Sequence, residues 1–177
     1  MQIGIIVPDL AASQLSYLIT QQINQSQMYV DYVVFQQHPL PPMQKVYTSI
    51  LPIYEITKFK GILIGTDLDA ARYMIKLPSP SRKLFYPWHL EWLRHGNDFM
   101  STIKVLMSPR IEVIARSQSY ADQIRIMNRE PSAIIPDFNI GGIIRYCEEH
   151  EKSNTFINSD AIPKPLPERK KYNGHYA

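Results

Sequence analysis

The sequence predicts an open, mostly parallel α/β sheet of about six strands with helices on both faces, and two observations carry that expectation. The apolar residues come in short unbroken runs, such as Ile-Gly-Ile-Ile-Val at 3–7 and Gly-Ile-Leu-Ile-Gly at 61–65, without strict alternation. Strands buried on both faces, as parallel strands are, read in this way. Segments of helical spacing lie between those runs, and strand, helix and strand recur within about 35 residues, the span of a unit whose crossover is right-handed.

Each element follows from its residues. The run 3–7 stops at Pro8-Asp9, so it is the first strand and not the apolar core of a signal peptide, which would follow a basic stretch. Leu15, Leu18, Ile19 and Ile23 make one apolar stripe, which predicts a helix over 13–23 with Ser13 as its N-cap. Asp-Tyr-Val-Val-Phe at 31–35 is a second strand, and the prolines at 36–43 make a loop in which His38 is solvated. Residues 46–56 fit a strand or a short helix equally. Residues 61–65 are a strand, Thr66-Asp67 turn into a helix over 68–75, and Pro78-Ser-Pro80 breaks the chain. Leu84, Phe85 and Tyr86 form a short strand that stops at Pro87. Residues 98–107 are helical or irregular, 111–115 a strand, 119–127 a helix and 133–135 the last strand. The loop 136–139 leads to a helix over 140–149, whose Gly141-Gly142 lie near its start, where glycine costs least. Beyond His150 the composition turns to Lys, Ser, Asn and Pro, and Pro163, Pro165 and Pro167 with Arg169-Lys-Lys171 predict a tail that packs neither as a helix nor as a central strand.

The expected organisation is therefore one domain over 1–150 and a tail over 151–177. A chain of 177 residues with 45% hydrophobic and 11% aromatic residues buries its own core and is not disordered. A formal charge of +3 permits phosphate-bearing partners without the clustered excess of a dedicated nucleic-acid binder. The single cysteine, Cys147, excludes an internal disulfide and a cysteine-rich metal site, and reads as a packed small hydrophobe. No apolar run reaches the roughly 20 residues that span a bilayer, so no membrane partner and a cytoplasmic setting are expected.

In such sheets ligands lie outside the carboxyl ends of the strands. The candidates for substrate contact are then Asp9, Thr66, Asp67, Trp88, Arg116, Ser117, Asp137 and Asn139, with His89 and Glu91 as the acid-base pair. Two indoles, an imidazole and a carboxylate within 88–92 make the densest chemistry in the chain, and the same residues also suit core anchors with a wet rim. Asp9 and Asp67 fit simple helix caps, Arg116-Ser117 fits a phosphate at a helix N-terminus or an ordinary helix entry, and Asp137 and Asn139 fit a turn. A Gly-x-Gly-x-x-Gly fingerprint, a P-loop, metal-spaced His or Cys pairs and a Gly-x-Ser-x-Gly elbow are all missing from the sequence, so no cofactor is expected.

The order of elements, with GILIGTDLDAARYM, KLFYPWHLEWL, IEVIARSQSYADQI and AIIPDFNIGGIIRYC, resembles the N-terminal Rossmann-like half of GT-B glycosyltransferases. It is most similar to the phage-type enzymes that move a sugar from a nucleotide sugar to modified DNA bases. The resemblance covers about residues 1–150. It implies the acceptor-side half of a sugar transferase, with His89 where such enzymes place the catalytic base, a point at which the related sequences carry Asp. It further implies Glu91 as the group that orients His89, and Asp9, Arg116 and Asn139 as the lining of the cleft. The donor half, which grips the nucleotide, would come from a partner chain, a nucleic acid is a candidate acceptor, and a phage protein would act in the host cytoplasm. The alternative is a non-catalytic module that keeps the half-fold as a scaffold and binds a protein partner or a second copy of itself.

Overall fold

The computed structural model describes residues 1–26, 29–78, 82–93 and 99–159, the last nine by backbone alone. Ser79 and Pro80 of the expected break, Arg94, Asp98 and the prolines and basic residues of the tail lie outside the described residues. Met1–Ile143 make one compact unit, and the chain from Ile144 belongs to a second.

The first unit is built on seven parallel strands: β1 (Gln2–Val7), β2 (Asp31–Gln36), β3 (Ser49–Pro52), β4 (Ile62–Gly65), β5 (Lys83–Phe85), β6 (Glu112–Ala115) and β7 (Ala133–Ile134). Their order across the sheet is β3-β2-β1-β4-β5-β6-β7, an open Rossmann-like arrangement. The strand beyond the expected six is β3, which settles residues 46–56: a four-residue edge strand that alternates between exposed and half-buried and passes at Pro52 into a 3-10 turn, Ile53–Lys58. Proline suits that place, since an edge strand can spare an amide.

Between the strands run α1 (Gln14–Ser26), α2 (Leu68–Lys76), α3 (Phe99–Leu106), α4 (Gln118–Ile126) and α5 (Ile140–Ser159). Strand order grows one way from β1 to β2 and the other way from β4 to β5, so right-handed crossovers put α1 on one face and α2 on the opposite one. The burial agrees. Ile6, Leu63, Phe85 and Val113 share a core with residues of α2, α3 and α4, and α1 contributes nothing to it. The residues that alternate with them, Ile5, Ile64, Leu84 and Ile114, are equally inaccessible and point to the other face.

Helix α5 differs from its expected span. Its backbone continues to Ser159, nine residues into the stretch expected not to be helical. No Gly or Pro falls between Gly142 and Pro163, so nothing in that stretch breaks a helix. In the second unit the Tyr146 and His150 rings lie 4.3 Å apart, and His150 Nδ1 is 3.0 Å from the Tyr146 carbonyl. Among the described residues no helix is long and apolar enough to cross a membrane.

Candidate functional site

The register brings the ends of the central strands level: Ile6 pairs with Gly65, Gly65 with Phe85, and Phe85 with Val113. The segments after these strands therefore leave the sheet along one edge, and the backbone stays zipped beyond the strands. The Thr66 amide donates to the Ile6 carbonyl (3.3 Å), the Tyr86 amide to that of Gly65 (2.8 Å) and the Trp88 amide to that of Thr66 (3.0 Å). Thr66 Oγ1 also donates to the Ile6 carbonyl, at 3.0 Å. The point where strand order reverses, between β1 and β4, is where open α/β sheets bind ligands.

A cavity of about 260 Å³ lies there. Pro8 and Asp9 after β1, Thr66 and Asp67 after β4, and Trp88, His89 and Glu91 after β5 line it, together with Ser13, Gln14 and Leu15 at the start of α1. Six of the ten residues singled out from the sequence are thus brought together: Asp9, Thr66, Asp67, Trp88, His89 and Glu91. His89 is exposed, whereas Trp88 is 3% exposed and offers the cavity only an edge. Trp92, also nearly inaccessible, belongs to the core, so the two indoles anchor the loop while the imidazole between them faces outward.

The two deepest carboxylates are both fixed on the first turn of α2. Asp67 is its N-cap, accepting from the Ala70 amide at 2.7 Å, and its oxygens also take the Gln37 side-chain amide at 3.0 and 2.9 Å. Glu91 reaches the same helix end from the far side of the loop, with Oε2 accepting from the Leu68 amide at 3.1 Å. Burial raises the Asp67 carboxyl above the usual aspartate value, against the Ala70 and Gln37 donors that favour its charge. Burial likewise raises Glu91, the Leu68 amide opposes the shift, and the negative charges of Asp67 and Asp69 add to it. Gly65 lets α2 come this close, because a Cβ on it would stand 2.6 Å from Met74 Cε and 3.1 Å from Ala70 Cβ. Asp9 lines the cavity, but its bond is not the helix cap expected of it: it accepts from the Ala11 amide at 2.7 Å, ahead of α1, whose cap is Ser13.

The other four residues do not line the cavity. The Arg116 guanidinium stacks 3.8 Å over the Trp88 ring and 5.3 Å from the Tyr120 ring, and it donates to the Trp88 carbonyl at 3.3 Å. Tyr120 Oη donates to the same carbonyl at 3.2 Å. Arg116 therefore holds the Trp88-His89 peptide and is not among the lining residues. Ser117 caps α4, accepting from the Tyr120 amide at 3.3 Å, and Asn139 accepts from the Gly142 amide at 2.9 Å at the start of α5. Asp137 sits at the tip of a 3-10 turn with φ 50° and does not reach the cavity.

Ser13, Gln14 and Leu15 are legible in the sequence only as a helix start. The signal that places them here is topological: the helix that follows a parallel strand begins at the strand's carboxyl edge. Among the described residues no three His, Cys, Asp or Glu side chains gather as a metal ion would need. Comparison with protein-family models, curated proteins and solved structures finds no match.

Chemically, the cavity offers an exposed imidazole as a proton acceptor, three carboxylates as hydrogen-bond acceptors, and apolar walls from Pro8, Leu15 and the Trp88 edge.

Proposed function

We propose that this protein supplies the acceptor side of a sugar transfer. The cavity receives a hydroxyl-bearing acceptor, His89 takes its proton, and the oxygen so released forms a bond to the anomeric carbon of a nucleotide sugar. The nucleoside diphosphate leaves from a donor site that a partner chain provides. The observation that carries this reading is the convergence of His89, Glu91, Asp67 and Asp9 from three neighbouring strand ends on one cavity at the switch point of the sheet. An imidazole suits the step because the unprotonated nitrogen of its neutral ring can accept a proton. Glu91, held by the Leu68 amide, fixes the loop that bears His89. The four motif segments whose order resembles GT-B enzymes carry β4, β5, β6 and β7, and the first two supply Thr66, Asp67, Trp88, His89 and Glu91 of the cavity, which supports the same class of chemistry.

A second reading has its own observation. Tyr47, Leu51 and Tyr54, on the edge strand β3 and two residues from either end of it, are 53%, 37% and 68% exposed, as a scaffold that binds another protein would have them.

One experiment separates the two. The protein is incubated with labelled nucleotide sugars, native nucleic acid and an extract of its source, and label is followed into macromolecular material. Sugar transfer predicts incorporation that falls by about 10²–10⁴-fold in His89→Ala. The variant's melting temperature should barely move, since surface substitutions stay within about 0.5 kcal/mol. Incorporation that is absent, or indifferent to His89, rejects the transferase reading and leaves the scaffold.

A further inference from the structure

The geometry points to an uncharged, hydroxyl-bearing group as the occupant of the cavity at the β1/β4 switch point, with phosphate excluded from it; this assignment rests on the sugar-transfer reading and narrows its substrate class.

The volume limits the size of the occupant. About 260 Å³ is slightly below the roughly 300–1,000 Å³ of pockets for drug-sized ligands, so one ring or a short polyol fits and a whole nucleotide sugar does not. The lining limits its charge. Asp9, Asp67 and Glu91 line the cavity, and none of the ten lining residues is Lys or Arg. A helix N-terminus is the usual place for a phosphate. That of α2 is already filled, because Asp67 takes the Ala70 amide and Glu91 the Leu68 amide. Arg116, a cation that touches a lining residue, is stacked on the Trp88 ring and bonded to the Trp88 carbonyl, and Arg72, which acts on Glu91, is paired with Asp69. A phosphate here would meet three carboxylates, and the described lining offers it no lysine or arginine.

Hydrogen-bond sense then separates a hydroxyl from an amine. Ser13 Oγ takes the Ser16 amide (3.0 Å) and the Ser13 carbonyl takes the Tyr17 amide (3.1 Å), which leaves the Gln14 and Leu15 amides outside the ladder of α1. The start of α1 therefore offers backbone donors and the start of α2 acceptors, and the carboxylates of Asp9, Asp67 and Glu91 weigh against an anion at either side. A hydroxyl both donates and accepts, an ammonium only donates, and a phosphate diester only accepts. Pro8 and Leu15 give the carbon skeleton an apolar wall. The diphosphate of a donor would accordingly lie outside this cavity, with only the reacting hydroxyl and its ring inside.

The test compares the affinities of four probes for the full chain by NMR titration: methyl glucoside, methyl glucoside 6-phosphate, methyl glucosaminide and inorganic phosphate. The neutral glucoside should bind at least tenfold more tightly than its 6-phosphate and no more weakly than the amino sugar, and inorganic phosphate should not compete. Asp9→Asn and, as a second variant that keeps its helix cap, Asp67→Asn should each narrow the gap by improving the 6-phosphate. A 6-phosphate that binds as tightly as the glucoside overturns the exclusion of phosphate while the sugar-transfer reading stands. An amino sugar that binds more tightly overturns the assignment to an uncharged group. If no sugar binds, both this assignment and the transfer reading fail.

Discussion

Tyr86 ties the end of the central strand to the last turn of the sheet through a single hydroxyl. Fully buried, it donates to the Ile135 carbonyl at 2.7 Å and accepts from the Phe138 amide at 3.0 Å, with its ring 5.0 Å from that of Phe138. The turn it holds is strained, since Asp137 and Phe138 have φ of 50° and 51°, where side chains other than glycine are uncommon. Burial pushes the Tyr86 hydroxyl up to about 12, so it stays protonated and keeps donating across the physiological range. Tyr86→Phe leaves a buried amide and a buried carbonyl without their partner. Urea unfolding should show a loss of about 1–3 kcal/mol, and a loss under about 0.5 kcal/mol would mean that the turn holds itself. Single residues are unequally legible in the sequence. Ser13 and Asp67 carry their caps openly, as small polar residues just before apolar stripes. The use of Arg116 as a clamp on Trp88 is hidden, because the two are 28 positions apart and only the pairing of β5 with β6 brings them together.

Helix α2 is the element that holds two of the cavity's carboxylates. Two carboxylates, from its own cap and from the β5 loop, share its first turn, and both are raised by burial. A carboxyl whose folded pKa lies above its unfolded value holds its proton more tightly in the native state. Its contribution to stability is then full below the unfolded value, near 3.9 for aspartate, and is lost as the pH rises through the folded value. Asp67→Asn keeps a good N-cap and removes that titration. The wild type should therefore gain stability relative to Asp67→Asn as the pH falls from 7 to about 4. Urea midpoints of both proteins across that range measure it, and a difference that stays flat or moves the other way would show that Asp67 is not held above its usual value. Elements with a strong period are readable from sequence, α1 and α2 among them. Strand β3 is not, because four residues at a half-exposed edge give too short an alternation to tell from a turn. For the end of α5, the polar composition beyond His150 misleads, and the lack of any breaker before Pro163 is the better guide.

At the scale of the molecule, strand order decides which residues can act together. Unbroken apolar runs predict parallel strands, yet they do not say that β1 and β4 are neighbours, which is what makes Asp9 and Asp67 face one cavity. Once the rule that ligands lie at strand carboxyl ends is applied, residues scattered from 9 to 91 become one site without any motif of their own. Arg116, Ser117, Asp137 and Asn139 follow β6 and β7, beyond β5 in the strand order, and do not line that cavity, although Arg116 reaches Trp88, which does.

The central claim is that the acceptor enters at this switch point, and amide chemical-shift mapping with methyl glucoside tests it most directly. Shifts should concentrate on Asp9, Gln14, Leu15, Thr66 and His89, with residues at the opposite, amino edge of the strands, such as Tyr32 and Ser49, unmoved. Shifts centred on that opposite edge, or none at all at saturating ligand, would contradict it.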